Sequence, residues 1–498
     1  MKVFINKKWL VLIVATALFS ACDNSLQFQP TNQLSNEIVA GSPALLANVT
    51  TGNYSYLKEP NYVRMRHIMQ EYPGDNVMLS GSTSDHLLYS YNYGHVVNSN
   101  VSLNFWRTAY YGIYGTNVVI ESIDDNDSEE LRQLKGENLF LRALMHFDLL
   151  RGFARPYSQN PDSNLGVMIR DNTDASALPA RSTVRESYEF VVNDLLKAAE
   201  LMTDAKDPIY ATREAAWALL ARAYLYMERY DQALEYADKV IQSGRYQLLE
   251  TSRLGEYFTY LPEANPETIF AIKHLSTENR GRSSIGSMYH GDGGWGEIYA
   301  SKPYRDLLDK YPHDERHKFI EPAYILDEEG NRIPDPSEDV GYLLDKRNGI
   351  SKYFITKYTR QENIPMLSSP VVLRLAEMYL IKAEAYAILP GRESEALEMV
   401  NVIRERAGLS GSDLYTTGDL KGHNSVLDVV LEERWLELAW EGHRAMDQFR
   451  NNRPIDRRYA NAGAWSGPEV IQPDSPSIVH LIPEAELTLN PNLVQNPN

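Results

Sequence analysis

Residues Ala211–Leu248 read ATREAAWALLARAYLYMERYDQALEYADKVIQSGRYQL. Apolar side chains recur three and four apart through Ala216, Leu219, Leu220, Ala223, Tyr224 and Tyr226, which places them on one stripe of an α-helix. Glu228, Arg229 and Asp231 break the stripe at a turn, and a second period runs through Leu234, Tyr236, Ala237, Val240 and Ile241. Trp217, Leu220, Ala221, Tyr224 and Ala233 follow the large, large, small, large, small spacing of a tetratricopeptide repeat. The small residues let two antiparallel helices approach, and the large ones fill the space between hairpins. One hairpin cannot bury its apolar face alone, so the pattern predicts partners.

Val371–Leu409 supplies one, with Tyr379, Lys382, Ala383, Tyr386 and Ala396 at matching positions and a one-residue insertion in the turn around Pro390-Gly391. Less regular helices are predicted at Asn138–Phe153 and Val184–Met202, the second opened by the capping box Thr183-x-x-Glu186. Helical patterning also covers Ser42–Val49, Tyr62–Gln70 and the series Trp106, Tyr110, Ile113, Tyr114, Asn117 and Ile120, with Trp106 as a core anchor. The fold class is therefore mainly α: tetratricopeptide-like helical hairpins stacked in a superhelix, with long irregular insertions and a few short strands.

The repeats pause between about 252 and 369. Thr268–His274 and Lys352–Thr359 alternate and are rich in β-formers, so both read as strands. Between them Arg280–Glu297, RGRSSIGSMYHGDGGWGE, carries six glycines and Trp295, a density that argues against both helix and strand. Loops of this length inside a compact protein are usually functional. A second loop, Ser80–Asn104, alternates Tyr89, Tyr91 and Tyr93, which predicts either a short strand or three rings on an irregular surface. Val426–Arg450 reads as one last helix with the stripe Leu431, Trp435, Leu438 and Ala439. Its Glu433, Arg434, Glu437, Glu441, Arg444, Asp447 and Arg450 are spaced for ion pairs of structural purpose. The ending LIPEAELTLNPNLVQNPN contains Asn-Pro pairs and reads as non-helical.

The 498 residues are 43% hydrophobic and 23% charged, as in an ordinary globular protein, and the net charge is −18. Such a surface repels nucleic acid and anionic lipid heads. Tyr is abundant, 32 against 13 Phe, which suits polar-ligand contacts and helical-repeat packing alike. At the N-terminus Lys2, Lys7 and Lys8 precede the apolar run Trp9–Phe19, shorter than the about twenty residues a spanning helix needs. The run ends in Phe19-Ser20-Ala21-Cys22, a bacterial lipobox pattern with Phe19 where leucine is usual. Cys22 is the sole cysteine, so no internal disulfide forms, and lipidation accounts for a lone thiol in an exported chain. The expected organisation is a signal peptide over 1–21, a polar tether over 22–36 and one domain over 37–498.

Taken together, these features resemble the SusD/RagB lipoproteins of Gram-negative bacteria over nearly the whole length. The residues that carry the resemblance are Cys22-Asp23 with the polar leader, the Trp106…Tyr110…Ile113…Asn117 helix and Arg142-Ala143 within LFLRALMHFDLL. The Ala211–Tyr224 helix, the Glu432–Arg450 charge pattern and the Asn490-Pro491-Asn492…Gln495-Asn496-Pro497 tail complete them. The resemblance implies a lipid-anchored protein on the outer-membrane exterior that binds oligosaccharides. It would act as a lid on a SusC-like TonB-dependent barrel, and it would not be an enzyme. In some members the ligand is a peptide, and a lipid-anchored protein-binding scaffold is a further alternative.

No G-x-S-x-G elbow, phosphate loop or dinucleotide fingerprint occurs, so neither catalytic residues nor a cofactor are expected. His313 and His317 stand four apart, but Asp314 holds the position where a zinc protease needs glutamate, and no metal is expected. In the family pattern Asp314 and Arg316 match a structural Asp-x-Arg element. A sugar receptor needs flat aromatics bordered by hydrogen-bonding groups. The candidate ligand contacts are Trp295, Tyr299 and Asp292 in and after the glycine-rich stretch, with Tyr89, Tyr91 and Tyr93 as a second platform. Trp295 is expected either at a loop tip or folded back as a loop anchor.

Overall fold

The repeat helices start where a hydroxyl side chain caps them. In the computed structural model, which describes residues 36–81 and 86–497, Thr212 accepts a hydrogen bond from the Ala215 N–H at 3.1 Å. Thr183 and Glu186 complete the expected capping box. The long helices are α1 (Pro43–Lys58), α2 (Pro60–Glu71), α3 (Asn100–Glu121), α4 (Glu129–Phe153) and α5 (Val184–Leu201). The first repeat hairpin is α6 (Arg213–Tyr226) with α7 (Tyr230–Gln242), and the second is α8 (Leu375–Ile388) with α9 (Glu393–Arg406). Cys22, the signal peptide and nearly all of the tether lie outside the described residues.

Within a hairpin the two helices differ in kind. α6 buries side chains on every face, whereas α7 buries Ala233, Ala237 and Val240 on one stripe. The small residues Ala221 and Ala233 are fully covered, and Tyr224 stacks on Tyr236 with centroids 5.5 Å apart. Successive helices pack in chain order from α3 to α7, and α7 then packs directly on α8. The superhelix thus runs past the insertion as though it were absent. Thr268–Ala271 and Val371–Arg374 pair antiparallel and close its neck. Trp106 is buried with its ring edge-on to Phe153 at 5.1 Å, a core anchor as expected.

The last helix is broken. α10 (Val426–Leu438) and α11 (Arg444–Arg450) are separated by a turn in which Trp440 and Gly442 take positive φ, 64° and 79°. The cause is tertiary. The Gly442 N–H donates to the buried Glu71 carboxylate at 2.6 Å, and a Cβ at Gly442 would press on Gln70 at 3.1 Å. Trp440 is fully buried, its indole N–H on the Asn76 carbonyl at 3.1 Å. The break turns Glu441 onto Lys357 (2.7 Å) and Arg374 (2.8 Å).

The charges of this region are buried rather than arrayed on a solvated face. Glu437 meets Arg374 at 2.5 Å, Arg316 at 3.3 Å and also Arg406, while Glu433 joins Arg316 (2.7 Å) to Arg404 (2.8 Å). Asp314 closes on Arg316 at 2.6 Å, the expected structural Asp-x-Arg element. His317 contacts Asp309 at 3.1 Å, and among the described residues no group of three or more His, Cys, Asp or Glu side chains gathers for a metal ion.

Three further expectations are corrected. The glycine-rich stretch does hold a helical turn, Ile285–Tyr289, capped by Ser284. Gly286 sits inside that turn because a Cβ there would lie 2.4 Å from the Met366 carbonyl oxygen. The C-terminal stretch forms a short helix, Glu484–Leu489, since the segment between Pro483 and Asn490-Pro491 carries no breaker; the Asn-Pro pair ends the helix rather than forbidding it. Of the alternating tyrosines, Tyr89 and Tyr91 belong to a helical turn, Leu87–Tyr91, not a strand, and Tyr93 lies just beyond it.

Candidate functional site: a cleft beneath a β-arm

The insertion folds its second half into a β-arm. Ile320–Pro322 pairs antiparallel with Tyr353–Ile355, and the ribbon continues through bridges Tyr324↔Leu344, Leu326↔Arg332 and Pro334↔Tyr342. Two acidic turns reverse the chain: the Asp327 carboxylate accepts the Asn331 N–H at 2.8 Å, and Asp335 accepts the Ser337 N–H at 2.9 Å. Successive side chains of a strand point to opposite faces. Phe354 therefore lines one cleft and Tyr353 another.

The larger cleft, about 510 Å³, lies between the arm and the glycine loop and is lined by Asp292, Glu321, Tyr324, Arg332, Phe354 and Arg360 among others. Tyr324 and Tyr342 meet edge to face at 6.0 Å, and the Arg332 guanidinium lies 3.8 Å over the Tyr324 ring. Asp292 accepts from the Lys352 ammonium at 2.9 Å, and Asp345 holds the same ammonium at 2.6 Å. Burial works against the charge on Lys352, but these two carboxylates raise its pKa above the usual lysine value. Glu321 pairs with Arg360. Burial and then Arg360 lower the pKa of His290, which lines the same wall as a neutral imidazole. The smaller cleft, about 200 Å³, is lined by Tyr299, Arg305, Tyr353 and Tyr459 among others.

Of the expected ligand contacts, Asp292 lines the larger cleft and is exposed. Tyr299 is buried, its hydroxyl on the Gly296 carbonyl at 2.9 Å, and offers only part of its ring to the smaller cleft. Trp295 is half-buried and folds back: its indole N–H donates to the Arg282 carbonyl at 3.1 Å and Arg64 covers its ring at 5.6 Å. The tyrosine platform is not displayed. Tyr91 is buried against Trp465 (5.6 Å) and Arg457 (4.3 Å), and Tyr93 turns inward, its hydroxyl 2.5 Å from the Pro73 carbonyl. Tyr89 stays half-buried beside His86 at 5.3 Å. Positive φ at Tyr93, 55°, breaks the alternation that pattern reading assumed.

Tyr324, Tyr342, Arg332 and Phe354 were not singled out by the sequence. A usable signal existed: DEEGN and DPSEDVG, two Asp-to-Gly turns flanked by Tyr324 and Tyr342, would have brought those rings together. Trp295 holds the glycine loop that carries Asp292. Trp295→Ala is expected to destabilise the fold by about 2 kcal/mol, less than a fully buried tryptophan because the ring is half covered. Urea denaturation reads this, and an unchanged midpoint would return the ring to the ligand contacts.

Residues 25–225 match a family model described as "Starch-binding associating with outer membrane", and residues 329–498 match one described as "SusD family". The SusD-like protein P38 of Formosa agariphila is 24% identical over 481 residues, covering 90% of this chain and 91% of that one. A SusD superfamily protein from Bacteroides thetaiotaomicron superposes with a TM-score of 0.79 at 27% identity, over 92% of this chain and all of that one. A second, from Bacteroides vulgatus, gives 0.77 at 27% identity over 92% and 99% of the two chains. Two models of one family at either end of the chain, and a superhelix shared along nearly all of it, place this protein in the SusD/RagB family.

Proposed function

We propose that this protein captures oligosaccharides at the cell surface and passes them to a SusC-like TonB-dependent outer-membrane transporter without altering them. The observation that carries the reading is the cleft under the β-arm. Tyr324 and Phe354 give it aromatic walls, Tyr342 stands edge-on to Tyr324 beside it, and Asp292, Glu321, Arg332 and Arg360 give it a polar rim. That combination suits a sugar, whose C–H face packs on rings while its hydroxyls seek hydrogen bonds. Each carboxylate lining this cleft already holds a cation, Lys352 or Arg360. The carboxyl that burial raises to about 8, Glu71, sits in the core on Asn76 and the Gly442 N–H. The family model matched by residues 25–225 is described by starch binding and outer-membrane association, which agrees with this assignment.

Attachment is assigned to a lipidated Cys22. Among the described residues no helix is long and apolar enough to cross a membrane. A fully acylated N-terminus holds stably where one chain would not. Cys22→Ala is expected to abolish incorporation of labelled fatty acid and to release the protein from the membrane fraction. Detergent extraction of the wild type should recover a large TonB-dependent barrel. A glycan array on the purified protein should show binding with every glycan left intact. Steady product release, absent from heat-killed protein, would overturn the non-catalytic part, and membrane retention of Cys22→Ala the anchor.

A further inference from the structure

We infer that the glycan held under the β-arm carries an acidic group, a carboxylate or a sulfate, and that Arg332 reads it. The inference rests on the assignment of that cleft to a glycan and specifies its class. The charges lining the cleft are accounted for pairwise: Asp292 by Lys352, which also holds Asp345, and Glu321 by Arg360. Arg332 remains. Its guanidinium lies 3.8 Å from the Tyr324 centroid and 5.7 Å from that of Tyr342, with no carboxylate in ion-pair range among the described residues. In a chain of net charge −18, an arginine left unpaired in a candidate ligand cleft stands out from its paired neighbours.

The stacking matters as much as the charge. A guanidinium lying on a ring keeps its N–H edge free, in the flat fork that matches two oxygens of a carboxylate or sulfate. Tyr324 thereby holds the donor plane before any ligand arrives, which reduces the entropy lost on binding. Tyr342, 37% exposed and edge-on to Tyr324, offers a ring on which the sugar face beside the acidic substituent can lie. A neutral sugar hydroxyl would satisfy one N–H of this fork, whereas an acidic group satisfies two and the charge as well. The position is set by the arm: Arg332 bridges Leu326 across the Asp327–Asn331 turn, so its side chain is presented by paired backbone.

The test is calorimetry on the mature chain with four probes. Two are oligogalacturonate and its carboxyl-reduced form; two are a sulfated galactan oligosaccharide and its desulfated form. One acidic probe is expected to bind at least about tenfold more tightly than its neutral counterpart, and which one does so separates carboxylate from sulfate. Arg332→Gln should erase that difference, and Arg332→Lys should restore only part of it, because an ammonium lacks the fork. Both variants should melt with the wild type, since the side chain is exposed. Equal binding of acidic and neutral members, unmoved by Arg332→Gln, would overturn the acidic class and leave glycan capture standing. Failure to bind any of the four, with a neutral glycan bound elsewhere on an array, would also overturn it. Failure on every glycan would remove both readings.

Discussion

Glu437→Ala is expected to destabilise the protein by about 3–5 kcal/mol, the range for removing one partner from a buried ion pair. Glu437 is buried where Arg374, Arg406 and Arg316 converge, and its backbone carbonyl also accepts from Lys357 at 3.0 Å. Burial opposes ionisation, but Arg406, Arg374, Arg316 and Lys357 hold the carboxyl well below the usual glutamate range. With the carboxylate gone, the side chains of Arg374 and Arg406 keep Glu267 at 3.2 and 3.5 Å, and Arg374 keeps Glu441, but five buried cations then face four carboxylates. The measurement is the urea midpoint. Should the alanine variant not accumulate, Glu437→Gln keeps the shape and one acceptor while losing the charge, and its destabilisation should fall between those of wild type and alanine. A loss below about 1 kcal/mol in both would show that this cluster is solvated and behaves as surface pairs do.

The second large effect is acid lability. Burial lowers His67 and His146 to about 3 and His95 and His274 to about 4, and it holds His480 and His443 well below the ordinary histidine range. Their neighbours explain why the fold keeps them neutral. His146 donates from Nδ1 to the Arg142 carbonyl at 2.9 Å while its Nε2 accepts the Arg170 N–H at 3.3 Å, and the His95 and His480 rings lie 4.1 Å apart. Unfolded, each histidine takes a proton near pH 6.5; folded, it does not until its lowered pKa. Stability from these residues is therefore complete above 6.5 and is lost as pH falls, at about 1.4 kcal/mol per pH unit for each histidine. Glu71 acts in the opposite sense. Raised to about 8, it favours the folded state progressively as pH falls from 8 towards 4.5. Stability should peak near pH 6.5, decline gently above it and collapse below it. Urea midpoints between pH 8 and 4 read the profile. A profile flat down to pH 4.5 would refute the buried-neutral assignment, and His146→Gln should reduce the slope by the share of one histidine.

What the sequence alone determined is local in origin. The spacing of Trp217, Leu220, Ala221, Tyr224 and Ala233, and its echo from Tyr379 to Ala396, located both hairpins, because side chains three and four apart share a helix face whatever surrounds them. Thr183 and Glu186 marked a helix start for the same reason, since a cap is completed within one turn. The resemblance carried by the Asn-Pro tail and the final charge pattern indicated the family, and the paired models and superposed structures confirm it.

Tertiary structure decided where long-range partners intervene. The charges of 433–450 were spaced for pairing along one helix. Asp447 with Arg450 does pair within a turn, at 2.7 Å, but Glu433, Glu437 and Glu441 reach Arg316, Arg404, Arg374, Arg406 and Lys357 on other segments. A buried charge takes whichever partner excludes water with it, and spacing along one helix does not encode that partner. The same holds for the break at Trp440–Gly442, made by Glu71 from α2, and for Tyr91 and Tyr93, drawn inward by Arg457 and the Pro73 carbonyl. The cleft itself joins Asp292, Glu321, Tyr324, Arg332 and Phe354, more than sixty residues of chain brought together by the pairing of Ile320–Pro322 with Tyr353–Ile355. Strand register between distant segments depends on what both strands bury, so their meeting is a property of the folded chain and not of either stretch read alone.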